Sequence, residues 1–157
     1  MEHKDEDMQE EALEEERSSL EEALDECLKA AIEINLTAKE LNAVVVGRYP
    51  NCQPTGPSGW GKTAIIKSWA KENDIHLYGI DLSCLSAEDL KAIMSAENTF
   101  ELLNQPRTVL FIEHYEKNTD ETERLLGKLI DKHVYTFNGK KEFLPELLFT
   151  IAEVTIG

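Results

Sequence analysis

The sequence predicts an α/β fold in which helices cover a mostly parallel sheet, on three observations. Apolar segments of strand character alternate with segments of helical periodicity along most of the chain. One of them, TVLFI at residues 108–112, is an unbroken run of β-forming residues without polar alternation, as a strand buried on both faces requires. Gly56, Gly61, Lys62 and Thr63 form a G-x-x-x-x-G-K-T pattern that opens directly into a helical segment.

The elements follow in order. Ser19 with Glu22 is a capping-box pattern, and Leu20, Ala23, Leu24, Cys27, Leu28, Ala31 and Ile32 then recur at helical spacing, which predicts a helix of roughly four turns. Residues 1–18 are left as an acidic tail, disordered or helical, ahead of a core spanning 19–157. Thr37 and Glu40 repeat the capping signal over a short turn, after which residues 43–46 (AVVV) read as a buried strand or an extended connector. Pro50 and Pro54 punctuate the chain. Ala64, Ile65, Ile66, Trp69 and Ala70 predict a helix ending near Asn73, and IHLYGI from Ile75 reads as a strand. Ser86 and Asp89 open a helix that runs to about Ser95, and a short helical stretch near Phe100 to Leu103 stops before Pro106. After TVLFI comes a helix over about 120–131. Asn138-Gly139 between VYTF and KKEF is a hairpin signal, and LLFTIAEV is a last buried strand.

Composition narrows the function classes. A chain of 157 residues is about one domain with an appendage. The first 26 residues carry thirteen acids against Lys4 and Arg17, so about −11 of the net charge of −15 belongs to that segment. Such acidity argues against free-standing nucleic-acid binding, which needs clustered Lys and Arg. Cys27, Cys52 and Cys84 are odd in number, with no C-x-x-C pair, and are read as free thiols in a reducing cytoplasm. No apolar run approaches the roughly 18–20 residues of a membrane span, and the acidic N-terminus is the opposite of a signal peptide.

The residues of the glycine-rich segment each have a physical task. Glycines let the backbone turn tightly and aim N–H groups at phosphate oxygens, Lys62 would neutralise the outer phosphates, and the Thr63 hydroxyl would ligate Mg2+. The lead-in is unusual: residues 51–55 (NCQPT) are polar or lack a donor where a strand should feed the loop. Either the 43–46 run supplies that strand, or residues 51–55 hold its place with weakened pairing. The second is preferred, because the loop needs a strand end beside its first glycine.

With that loop at one position and TVLFIEHYEK some fifty residues later, residues 20–157 resemble the AAA+ ATPase core, most like its MoxR-like bacterial and phage branch. The resemblance implies a three-layer α/β/α P-loop NTPase fold that binds ATP and Mg2+ and joins other AAA+ subunits in a ring. It implies nucleotide contacts over Gly56, Pro57, Ser58, Gly59, Trp60, Gly61, Lys62, Thr63 and Ala64. It puts Glu113 at the magnesium-supporting position, beside Thr63, and His114 where the family carries the water-activating Glu. Glu116 is a nearby acid. IDLSCLSAEDL looks like the family's second strand and LLFTIAEVT like its sensor-1 strand, with Thr155 nearest the polar sensor position and Glu153 a less favoured stand-in. Lys62, Glu113, His114 and Thr155 are thus the catalytic candidates. The family's arginine finger and helical lid would lie beyond Gly157, which makes the expected unit a core lacking its C-terminal lid.

The function expected is ATP and Mg2+ binding, with hydrolysis weak or dependent on partner subunits. The alternative is a non-hydrolysing nucleotide-binding scaffold or regulatory subunit. A small P-loop kinase ranks below both, because residues 81–105 offer no arginine cluster for a second phosphate. Guanine specificity lacks an N-K-x-D pattern, and zinc, Ser-His-Asp and paired-carboxylate chemistries find no supporting residues.

Overall fold

The computed structural model describes residues 2–41, 49–57 and 60–156. Helix α1 (Glu2–Leu41) is followed by β1 (Asn51–Cys52), β2 (Thr55–Pro57), α2 (Lys62–Glu72), β3 (His76–Asp81), α3 (Ala87–Ile93), α4 (Glu97–Leu103) and β4 (Thr108–Glu113). A 3-10 turn at Tyr115–Lys117, α5 (Asp120–Lys132), β5 (Val134–Phe137), β6 (Lys140–Phe143), β7 (Leu147–Ala152) and β8 (Val154–Ile156) complete the order.

The central sheet has the order β1-β7-β4-β3, with every pairing parallel. β2 and β8 form a second parallel pair that continues the first. Asn51 and Cys52 face Thr150 and Ile151, and Thr55, Gly56 and Pro57 face Val154, Thr155 and Ile156, so partners keep the same offset across the gap. The Val154 N–H donates to the Pro54 carbonyl at 2.8 Å inside that gap. Residues 51–57 therefore hold the place of the lead-in strand, as preferred from the sequence. Pro54 falls in the gap between β1 and β2 at the edge of the sheet, where the ladder is already interrupted, so its missing N–H removes at most one bond from a weakened pairing. The alternative strand at 43–46 lies outside the described residues.

Each face of the sheet is covered, which gives the expected α/β/α layering. In β4, Val109 and Phe111 point to one face, where Leu24, Leu28 and Ala31 of α1 and Ile66, Trp69 and Ala70 of α2 pack. Leu110 and Ile112 point to the other, against Leu90 of α3, Leu103 of α4 and Leu126, Leu129 and Ile130 of α5. This is the period-two consequence of a doubly buried strand. The Trp69 indole N–H donates to Asp25 Oδ1 at 2.8 Å and ties α1 to α2.

The N-terminal helix differs from expectation. The sequence reading placed starts at Ser19 and Thr37, yet α1 runs unbroken through both. Thr37 Oγ1 donates to the Glu33 carbonyl one turn back at 2.9 Å, so its hydroxyl serves the helix interior and caps nothing. The abundance of Glu, Ala, Leu and Lys carries the helix past both signals. Elsewhere the local signals act as read. Ser86 with Asp89 forms a reciprocal capping box, and a second box that the sequence reading did not name joins Thr119 and Thr122. Asn138 and Gly139 take φ of 52° and 73° in the β5–β6 hairpin, as a tight two-residue turn demands. The last strand is broken at Glu153 into β7 and β8.

Candidate functional site

The glycine-rich loop joins the end of β2 to the start of α2, with Ser58 and Gly59 outside the described residues. Gly61 sits at φ 73°, ψ 22° as the residue before α2, a left-handed conformation that only glycine adopts cheaply. Gly56 is under no such demand, since an added methyl would make ordinary contacts of 3.7–3.8 Å with the Trp60 and Lys62 side chains. Lys62, 9% exposed, folds back across the loop, and its Nζ donates to the carbonyls of Gly56 (2.7 Å) and Pro57 (2.9 Å). The ammonium is thereby held inside the turn. Trp60 and Ala64 lie exposed on either side of Gly61.

The carboxyl ends of the parallel strands bring a group of acids beside this loop. Thr63 Oγ1 donates to Glu153 Oε2 at 2.9 Å, and Thr155 Oγ1 donates to Glu153 Oε1 at 3.1 Å. Glu153 is only 5% exposed, fixed in the break between β7 and β8 by its N–H to Ile112 O (2.8 Å) and by the Tyr115 N–H to its own carbonyl (2.8 Å). The Thr155 N–H donates to Glu116 Oε2 at 3.2 Å, and Glu116 Oε1 meets His114 Nδ1 at 2.9 Å. Thr63, Glu153, Thr155, Glu116 and His114 are thus joined in one chain of hydrogen bonds. Glu113, half-buried at the end of β4, pairs in register with Asp81 at the end of β3.

The electrostatics of this chain are one-sided. The hydrogen bond to Glu116 raises the His114 pKa above its ordinary value, against the opposing effect of burial, and the charges of Asp81, Glu116 and Glu153 add to it. Burial works against the charge of Glu116, but the contacts with His114 and the Thr155 N–H outweigh it, and its carboxyl is held low. Asp81 is likewise held low: burial opposes its charge, and hydrogen bonds from Ser83 and Cys84 with the nearby His114 charge overcome it. The imidazole is therefore biased towards its cationic form.

Four of the residues expected at the site, Lys62, Thr63, Thr155 and His114, do converge here. The carboxylate that reaches the loop's threonine is Glu153, and the sequence reading favoured Thr155 over it for the sensor position. Its signal was a lone charge inside the apolar LLFTIAEV run, which a strand cannot bury without a partner. Asp81 was not singled out, because its place opposite Glu113 depends on strand register. Arg107 is at the opposite end of the sheet, where its guanidinium donates to the carbonyls of Asn73 and Asp74. Among the described residues no group of three or more His, Cys, Asp and Glu side chains is arranged to hold a metal unaided, and no helix is long and apolar enough to cross a membrane.

A parallel sheet whose glycine-rich strand-to-helix loop lies among acids at the strands' carboxyl ends defines the P-loop class of α/β domain. The chain belongs to the ATPase family associated with various cellular activities (AAA), whose model matches residues 54–136. Its fold is similar to that of NtrX from Brucella abortus in complex with ATP, at 14% identity and a TM-score of 0.53, over 81% of this chain and 29% of that one. The same protein in complex with ADP gives 14% identity and a TM-score of 0.55, over 81% and 30%. A RuvB mutant from Thermotoga maritima shares 19% identity over 85% of this chain and 39% of that one, at a TM-score of 0.46. The chain therefore spans about a third of the length of these proteins. Comparison with curated proteins gives no match.

Proposed function

We propose that this chain binds ATP with Mg2+ at the Gly56–Ala64 loop, and that its hydrolysis of ATP is weak or depends on partner subunits. The observation that carries the reading is the placement of Lys62 and Thr63: an ammonium held inside the loop by the two carbonyls that open it, and a hydroxyl directed at a buried carboxylate. An ammonium has three protons, and those two bonds leave one for a phosphate oxygen. The N-terminus of α2, an eleven-residue helix beginning at Lys62, adds its dipole to the same anion site.

The donor set fits magnesium. The ion prefers hard oxygen ligands and uses one or two carboxylates with substrate phosphates and water, so an all-protein cage is not needed. Thr63, Glu153 and Glu113 would hold it, and when bound it would neutralise phosphate charge during transfer. The acids have a second consequence: Glu113, Glu116, Glu153 and Asp81 repel a bare triphosphate, so tight binding requires the cation.

Two features support slow turnover. His114 stands where the family carries a carboxylate that activates water, and a histidine biased towards its cation is a poor proton acceptor at neutral pH. Arg107 is committed to backbone carbonyls at the far end of the sheet. Without an arginine supplied to the transferring phosphate, catalysis in such sites falls by roughly 10³–10⁵-fold. We assign the arginine that would serve the transferring phosphate to neighbouring AAA+ subunits in a ring. The family resemblance favours a MoxR-like member acting in the cytoplasm, away from membranes and without direct nucleic-acid contact. The bias of His114 towards its cation equally favours the second reading, a scaffold that holds nucleotide without cleaving it.

Measuring ATP affinity and phosphate release on one sample, alone and with candidate AAA+ partners, separates the two. Micromolar-range binding with turnover that appears only with partners supports the first reading, and binding with no turnover under any of these conditions supports the scaffold. Absence of binding would remove both.

A further inference from the structure

Cys27 on α1 and Cys52 on β1 are separated in sequence, yet the fold brings both to one core cluster and one cavity wall, near enough for each thiol to influence the other. Cys52 is buried in the core beneath α1 and Cys27 is packed against the same cluster. Both also line a cavity of about 590 Å³ between α1 and the β1–β2 edge, together with Ala23, Gln53, Trp60 and Lys62. A solute can therefore reach a pair that the core otherwise shields. All three cysteines are free thiols, and the third, Cys84, is exposed and bonded to Asp81.

We propose that Cys27 and Cys52 are a thiol–disulfide modification site, converted to an intramolecular disulfide by exchange with a small-molecule disulfide of the glutathione type. The two sulfurs have different tasks. The neighbouring Cys52 thiol holds the Cys27 thiol below its ordinary range, although burial and the Glu26 charge oppose it. The neighbouring Cys27, with burial, pushes the Cys52 thiol up. Cys27 is the attacking group because it is half-buried beside the cavity while Cys52 is buried, so its thiolate is the one a solute meets first. Its thiolate attacks one sulfur of the reagent, the reagent's S–S bond breaks, and the first small thiolate leaves with the proton that Cys27 gave up. In the mixed disulfide Cys27 no longer carries charge, so the repulsion that kept Cys52 protonated is gone. Cys52 then loses its proton, attacks the Cys27 sulfur and expels the second small thiolate, which takes that proton. Two protein thiols are oxidised by two electrons and one small disulfide is reduced to two thiols. The product would fasten α1 to the strand that leads into the glycine-rich loop. This inference rests on the packing of α1 against β1 and is independent of the nucleotide reading.

The test uses the full reduced chain incubated with glutathione disulfide, then alkylated and mapped by peptide mass spectrometry. The expected product has lost two alkylatable thiols, contains a Cys27–Cys52 linked peptide and retains no glutathione on either. Cys52→Ser should accumulate glutathione on Cys27, and Cys27→Ser should leave Cys52 unmodified. The proposal is overturned if Cys27 and Cys52 both stay alkylatable under conditions that add glutathione to Cys84. A linked peptide that contains Cys84 would also overturn it.

Discussion

Glu153 accepts hydrogen bonds from two threonines while almost wholly removed from water, and its backbone is fixed on both sides by β4 and the 3-10 turn. If it supports the cation beside Thr63, then Glu153→Gln, which keeps the size and one acceptor oxygen, should shrink the gain in ATP affinity on adding Mg2+ by roughly tenfold, about 1.4 kcal/mol. Calorimetric titration with and without the ion reads this directly, and an unchanged gain would place the cation elsewhere. His114 makes a second prediction. Its pKa is raised above the ordinary value, so any turnover that uses it as a base should climb with pH over a range higher than that of a free imidazole. Replacing it by the carboxylate the family carries, His114→Glu, should raise phosphate release at neutral pH. A flat or lower rate in the variant would argue for the scaffold.

At the scale of elements, α1 contributes to the core of the domain. Leu24 is fully buried between this helix and the sheet, so Leu24→Ala should destabilise the chain by about 3 kcal/mol, as deep leucine truncations do. A urea midpoint that barely moves would make α1 an appendage. The junction of α5 with β5 is a second test. His133 is fully buried in a left-handed conformation, stacked on Tyr49 at 3.6 Å, and neither ring nitrogen has a well-formed hydrogen bond among the described residues. Burial lowers its pKa from 6.5 to about 3, only slightly offset by the Leu147 backbone. The unfolded chain therefore takes up this proton first, and stability is lost as pH falls from about 6.5 towards 3. Between about pH 7 and pH 5 the wild type should lose roughly 2 kcal/mol more than His133→Phe, which keeps the stacked ring without the titrating nitrogen. Equal losses would mean that His133 finds a proton acceptor.

At the scale of the whole molecule, the parallel sheet sets the polarity: β2, β3, β4 and β7 all end beside the loop, while Arg107 and the strand starts lie at the far end. This much was legible in the sequence, because TVLFI, the Ser86 capping box and the Asn138-Gly139 turn are decided by neighbours a few positions away. The unbroken α1 was not, since the capping letters at Ser19 and Thr37 act only where the chain turns. Glu153 was read only as a less favoured stand-in for Thr155, and Asp81 and the closeness of Cys27 to Cys52 escaped, because these depend on strand register or on how a helix lies across a sheet. The central claim remains local to Lys62. Titrating the wild type and Lys62→Ala with a fluorescent ATP analogue, with and without Mg2+, tests it most directly. The account predicts saturable, Mg2+-enhanced binding that the variant abolishes, and equal affinity in the two proteins would contradict it.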